Sequence, residues 1–215
     1  MTRLYSIPPL LIEEPLCISF ELSEDVIGTE IDVSALCLPE SQIINNKTDF
    51  VFWNSELRLD YKTRKVVSFE KSSNLNWRRW KENTIPASTD LAVRCYDSAW
   101  IMEEESDYLY LCGLVEFETY KIDNSIHYVK FVLSVFNNAQ ANRKYTFMDG
   151  STLKATLRKA KNGDVIYEHV IDLKDNRNDA GSFFCLRRDP DNSFAIYRDE
   201  DFVQGGLIEY LNQYC

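Results

Sequence analysis

Gly28-Thr-Glu-Ile-Asp-Val-Ser-Ala-Leu36, followed by Cys37, carries the clearest strand signal in the chain. Ile31, Val33, Ala35 and Cys37 fall on alternate positions, the period of a strand with one apolar face. The same period sets Glu30 and Asp32 together on the other face, roughly 7 Å apart. Like charges that close repel unless a cation, a basic partner or open water lies beside them. Calcium takes roughly six to eight oxygens from carboxylates, amides, carbonyls and water. More such oxygens stand at Asp49 and Asn54, within the strand-like run Lys47-Thr-Asp-Phe-Val-Phe-Trp-Asn54, and in the acidic run Glu103-Glu-Glu-Ser-Asp107. Exposed strand faces with two acids are common, so the spacing by itself does not make a metal site.

Outward from this stretch, alternation continues in both directions. Leu16, Ile18, Phe20 and Leu22 form one apolar face, and Phe50 and Phe52 another. Leu109 and Leu111 follow, then Val129, Phe131, Leu133 and Val135, then Leu153, Ala155 and Leu157. Lys161-Asn-Gly-Asp164 predicts a tight hairpin in which Asn162 and Gly163 both take positive φ. Phe183–Leu186 and Phe194–Tyr197 predict a second hairpin, joined by Arg188-Asp-Pro-Asp-Asn192. After Gly205-Gly206, the residues Leu207, Tyr210, Leu211 and Tyr214 share one helical face, which predicts a short amphipathic helix. The expected fold is all-β and mainly antiparallel: a two-sheet β-sandwich with a short C-terminal helix, one domain over residues 1–215. Residues 72–107 are polar and irregular, and predict a long loop or insertion with some structure of its own.

The chain has 215 residues, 45% hydrophobic and 13% aromatic, enough for a core of ordinary domain size. Its net charge of −10 repels phosphate backbones, so nucleic acid is not an expected partner. No run of about 18 apolar residues is present, so no membrane span is expected. The opening MTRLYSIPPLLIEEP is interrupted by prolines and acids and does not read as a signal peptide. Six scattered cysteines, with no CxxC, point to the cytoplasm, and Cys17, Cys37, Cys112 and Cys185 read as small core residues. His127 and His169 stand apart from any nucleophile motif and read as packing residues. With no GxSxG, HExxH or phosphate-cradling glycine loop, no enzyme is expected. Trp77-Arg78-Arg79-Trp80-Lys81 suits an anionic or aromatic partner surface, or else pins the inserted loop to the sandwich.

The order of these landmarks resembles the TerD family, a tellurium-resistance and stress-response group of small cytoplasmic bacterial β-sandwiches. The resemblance rests on GTEIDVSALCL, KTDFVFWNSE, SSNL, the acidic strand lead-in and QGGLIEYLNQY, and it runs over nearly the whole chain. It implies a calcium site. Asp32, Asp49 and Asn54 match family positions directly, and Glu30 stands where the family has an aspartate. Asn74 matches the asparagine of the family's turn, although Ser73 replaces the aspartate before it. Glu105 and Asp107 match the family's acidic loop loosely. Calcium is the implied cofactor, and other stress-response proteins are the implied partners. The alternative is a TerD-like scaffold that has lost metal and works as a protein-interaction module, with Trp77, Arg78, Arg79 and Trp80 at the contact.

Overall fold

Ile31, Val33, Ala35 and Cys37 do line one face of a strand, and that face is the centre of the protein. In the computed structural model the described residues are 1–8, 11, 13–22, 30–44, 46, 49–67, 83–97, 110–136, 144–149 and 152–215. For Glu30, Asp97 and residues 110–112 only the backbone is described. In chain order the strands are β1 (Thr2–Ser6), β2 (Leu16–Leu22), β3 (Glu30–Leu38), β4 (Phe50–Val51), β5 (Arg58–Asp60), β6 (Val66–Val67) and β7 (Thr84–Pro86). They continue with β8 (Val93–Asp97), β9 (Tyr110–Phe117), β10 (Tyr128–Phe136), β11 (Thr152–Lys159), β12 (Val165–Asp172), β13 (Ala180–Arg188) and β14 (Phe194–Val203). One helix, α1 (Gly206–Asn212), follows them.

A six-stranded sheet has the order β1-β14-β13-β10-β3-β4, and a five-stranded sheet the order β12-β11-β2-β9-β8. Every pairing in both sheets is antiparallel. Their inner faces meet through the alternating residues of β3 and β10 on one side and of β2 and β11 on the other. Phe131 sits at the middle, its ring 6.0 Å from Phe20 and 5.9 Å from Phe117. Burial of this apolar surface is the main force holding the sheets together, about 1.5–3 kcal/mol for each large side chain taken fully from water.

The outer face of the six-stranded sheet carries a second, smaller core. Leu36, Leu38, Phe50, Val132 and Ala180 lie there under Tyr210 and Tyr214 of the C-terminal segment, with Leu207 and Leu211 packed against them. This is the apolar helical stripe read from the sequence. The carboxylate of Asp179 fixes the helix start by accepting from the backbone N–H groups of Gly205 at 2.8 Å and Gly206 at 2.9 Å.

Two local expectations change. Among the described non-glycine residues Asn162 is not in the left-handed region. Gly163 alone takes positive φ (75°), and Lys159 N–H donates to Asp164 C=O across a wider loop. The run from Lys47 to Asn54 keeps only Phe50–Val51 as strand. Ser55 ends it: its hydroxyl donates to Phe50 C=O and accepts from Phe52 N–H, which bends the chain away. Within residues 72–107 the described part has structure of its own, in keeping with the expectation for that stretch. It contains β8, an edge strand of the five-stranded sheet, and β7, which joins β5 and β6 in a three-stranded sheet.

Candidate functional site

The register of β3 decides which of the expected ligands can meet. Ala35 lies opposite Val51 and Leu36 opposite Phe50, so the chain beyond Phe50 toward Asp49 runs to the Leu38 end of β3. Glu30 and Asp32 are at the other end, opposite Phe136 and Ser134 of β10. By the antiparallel pairing Asp49 comes opposite Cys37, five residues along β3 from Asp32, or about 17 Å at the rise of an extended strand. Glu30, Asp32 and Asp49 therefore do not share one cation, and Asp49 leaves the ligand set.

Asp49 instead joins Asp90 and Asp123 at a corner of turns. Burial pushes its carboxyl above the usual range, and the charges of Asp90 and Asp123 add to the rise. Thr89 Oγ1 donates to Asp49 at 3.3 Å. Asp90 accepts from Ser88 Oγ at 2.5 Å, Ala92 N–H at 3.0 Å and Asp123 N–H at 2.8 Å. These carboxylates tie backbone turns together. Among the described residues no cluster of three or more His, Cys, Asp or Glu side chains is arranged to hold a metal.

At the other end of β3 the topology gathers more of the expected set. Asp97 closes β8 opposite Gly113, and β9 begins at Tyr110, so both anchors of residues 98–109 lie within a few positions of Gly113. Gly113 packs hard on β3: a Cβ there would lie 3.1 Å from Val33 Cβ and Cγ2. Val33 is the neighbour of Asp32. The two anchors of residues 98–109 thus lie at the Glu30–Asp32 end of the sandwich, on the side of β3 that Val33 faces. Glu105, Asp107, Asn74, Trp77, Arg78, Arg79 and Trp80 themselves lie outside the described residues.

Asn54 has a different setting. It sits on the turn after β4 and lines a cleft of about 470 Å³ beside the C-terminal end of α1. Phe50 and Phe52, stacked at 4.6 Å and 21°, lie along this cleft with Ile44, Leu57 and Leu211. Asn46, Asn54, Ser55, Glu56 and Cys215 supply its polar groups.

Two buried charge networks were not foreseen. Lys130 is 2% exposed and faces α1, with Nζ 2.9 Å from Asp199 and 2.8 Å from Asp201. Its signal was a lysine inside the apolar run Tyr128–Phe136. Burial would lower the Lys130 pKa, but the Asp199 charge and hydrogen bonds with Asp201 and Tyr214 outweigh it and hold the amine well above the usual lysine range. The second network centres on Arg94, which reaches Glu116 at 2.6 Å and Glu118 at 2.7 Å. Burial would raise the Glu118 carboxyl, yet bonds from Lys121, Tyr120 and Arg94 keep it below the usual range. His169 is paired with the Tyr167 hydroxyl at 3.2 Å, and burial, with the Arg198 charge, lowers its pKa.

The sheet order and the covering C-terminal helix define an antiparallel β-sandwich, and its likeness to solved structures gives that sandwich a TerD-like fold. The chain is similar in structure to a Streptomyces coelicolor A3(2) homologue of the telluride resistance protein TerD. That likeness has a TM-score of 0.51 at 10% identity and covers 92% of this chain and 95% of the other. A second solved structure, of a protein of unknown function, matches with a TM-score of 0.51 at 11% identity, covering 92% and 94%. At such identities the likeness is one of fold. No known family model matches the sequence, and no curated protein does. No helix among the described residues is long and apolar enough to cross a membrane.

Proposed function

We propose that this chain is a non-enzymatic, cytoplasmic, calcium-binding protein of TerD type, acting in a stress response of the tellurite-resistance kind. The likeness to a homologue of a telluride resistance protein supports the class. One topological observation carries the calcium reading: the start of β3, with Glu30 and Asp32, and both anchors of the segment holding Glu103–Asp107 lie at the same end of the sandwich. The ion's ligands are drawn from Glu30, Asp32, Asn54, Asn74, Glu105 and Asp107. The cation relieves the repulsion of these acids and links the β8–β9 connection to the edge of the six-stranded sheet.

Calorimetric titration with calcium chloride and a parallel thermal melt test this reading. Calcium is expected to bind and raise the melting temperature, as any ligand of the native state does. Asp32→Asn removes both effects, whereas Asp49→Asn retains them. No heat and no thermal shift at millimolar calcium would sink the proposal.

A second reading, a metal-free interaction module, gains from the loss of Asp49, since calcium affinity follows the number of charged ligands. On that reading Trp77→Ala and Arg79→Ala abolish capture of a partner protein while Asp32→Asn leaves it intact.

A further inference from the structure

β12 ends the five-stranded sheet, and among the described residues β11 alone bonds to its backbone. The outward N–H and C=O groups of such an edge are a template for a further strand. The other edges of the sandwich are poorer templates. β4 has two residues, β8 has five, and β1 is irregular between Arg3 and Tyr5. β12 has eight residues and pairs regularly from Tyr167 to Asp172. It also leaves Val165 and Val170 50% and 58% exposed.

A strand added to this edge continues both faces of the sheet, so that inward residues meet inward ones. Tyr167, His169 and Ile171 share the core side, opposite Leu157, Ala155 and Leu153, while Glu168, Val170 and Asp172 face out. Where the added strand is β12 of another copy, a two-fold axis passes through one residue of each. An axis at Glu168 sets that acid against itself, and one at Val170 sets Glu168 against Asp172. Like charges directly opposite destabilise a strand pair. Axes nearer either end leave less of the regular stretch paired. The axis at His169 avoids these costs. It puts Tyr167 opposite Ile171 and Glu168 opposite Val170. It also brings Lys174 of each copy, its side chain 73% exposed, to the turn that holds Asp164 of the other. β12 is thus complementary to itself in one register.

We propose that two copies of this chain associate by antiparallel β12–β12 pairing about a two-fold axis at His169, which joins their five-stranded sheets into one. His169 of each copy then faces His169 of the other.

The test is sedimentation equilibrium of the full chain at rising concentration, where a reversible dimer is expected. Val170→Glu should weaken the dimer about tenfold, because it places an acid opposite Glu168 of the other copy on both sides of the axis. Ile208→Glu, at a position 77% exposed on α1, adds the same charge elsewhere and should leave the dimer unchanged. Both variants should keep the melting temperature. In a Cys215→Ser background, His169→Cys should form an intermolecular disulfide under oxidised glutathione, and Val165→Cys, away from the axis, should not. A chain that stays monomeric to millimolar concentration overturns the proposal, including one that instead takes an extended peptide on β12. So does a dimer that Val170→Glu leaves intact or that Ile208→Glu weakens equally, or equal cross-linking at positions 165 and 169.

Discussion

Lys130→Met is the most informative single change. It removes the cation that lies 2.9 Å from Asp199 and 2.8 Å from Asp201 beneath α1, and replaces it with an apolar side chain of similar length. Asp199 Oδ2 meets the lysine as a charge and has no hydrogen-bond partner among the described residues. Asp201 keeps the hydroxyls of Tyr210 and Tyr214. Breaking a buried ion pair from one side costs about 3–5 kcal/mol, because the remaining charge stays in the interior. At about 2–4 °C per kcal/mol for a domain of this size, the melting temperature should fall by roughly 6–20 °C at pH 7. The pH dependence gives a second readout. In the unaltered chain, burial acts to raise the Asp201 pKa, but bonds from Lys130, Tyr214 and Tyr210 prevail and hold it low. Its stabilisation is therefore present above the ordinary aspartate pKa of about 3.9 and is lost as pH falls through the depressed folded value. Without Lys130 burial wins, the carboxyl pKa rises, and the variant should recover stability as pH drops from 7 toward 5. Lys130→Met/Asp199→Asn/Asp201→Asn, which removes every charge, should recover much of the loss at pH 7. Calorimetric melts of the three proteins at both pH values check this. A Lys130→Met protein as stable as its parent, or a triple variant no better than the single one, refutes the electrostatic account.

Other outcomes follow from the same structure. Gly181→Ala should cost about 3 kcal/mol in urea unfolding, because the new Cβ would lie 2.3 Å from Phe202 Cδ1 and 2.6 Å from the backbone oxygen of Asp201. Glu118→Gln should destabilise the protein by about 2 kcal/mol at pH 7. Since the Glu118 pKa is held low, that deficit should shrink as pH falls through the folded value, read as converging denaturation midpoints near the acid limb. In a Cys112→Ser background the exposed Cys215 should react promptly with a thiol reagent. Cys17, whose pKa burial lifts to about 11, and the buried Cys37, Cys95 and Cys185 should react only on unfolding.

The fold was legible wherever an apolar face was complete. Leu16–Leu22, Ile31–Cys37, Val129–Val135 and Leu153–Leu157 carry uninterrupted alternation, and each became a strand of the central sandwich. β8 was harder to see, since Arg94 and Tyr96 alternate with only Val93 and Cys95 and the strand lies at a sheet edge. The proposed ion site was legible as residue types but not as a place. Asp49 and Asp32 look alike in the text, and only the pairing of Ala35 with Val51 reveals that they lie at opposite ends of one strand. Lys130 escaped because its partners, Asp199 and Asp201, come from a strand some 70 residues further on, with a separation of 71 between Lys130 and Asp201.

β1 closes the six-stranded sheet against β14, so that Thr2 pairs with Arg198 and Ser6 with Ala195. A ribosome making this protein releases its first strand long before the last one exists. β2 likewise waits for β9 and β11, and β3 for β10. The strands of the five-stranded sheet are all made once synthesis passes Asp172, but the six-stranded sheet stays unfinished until Val203, and pairings this distant in sequence are slow to close. A sheet whose edge strand β1 pairs with the last strand, β14, thus keeps apolar faces uncovered for most of the chain's synthesis.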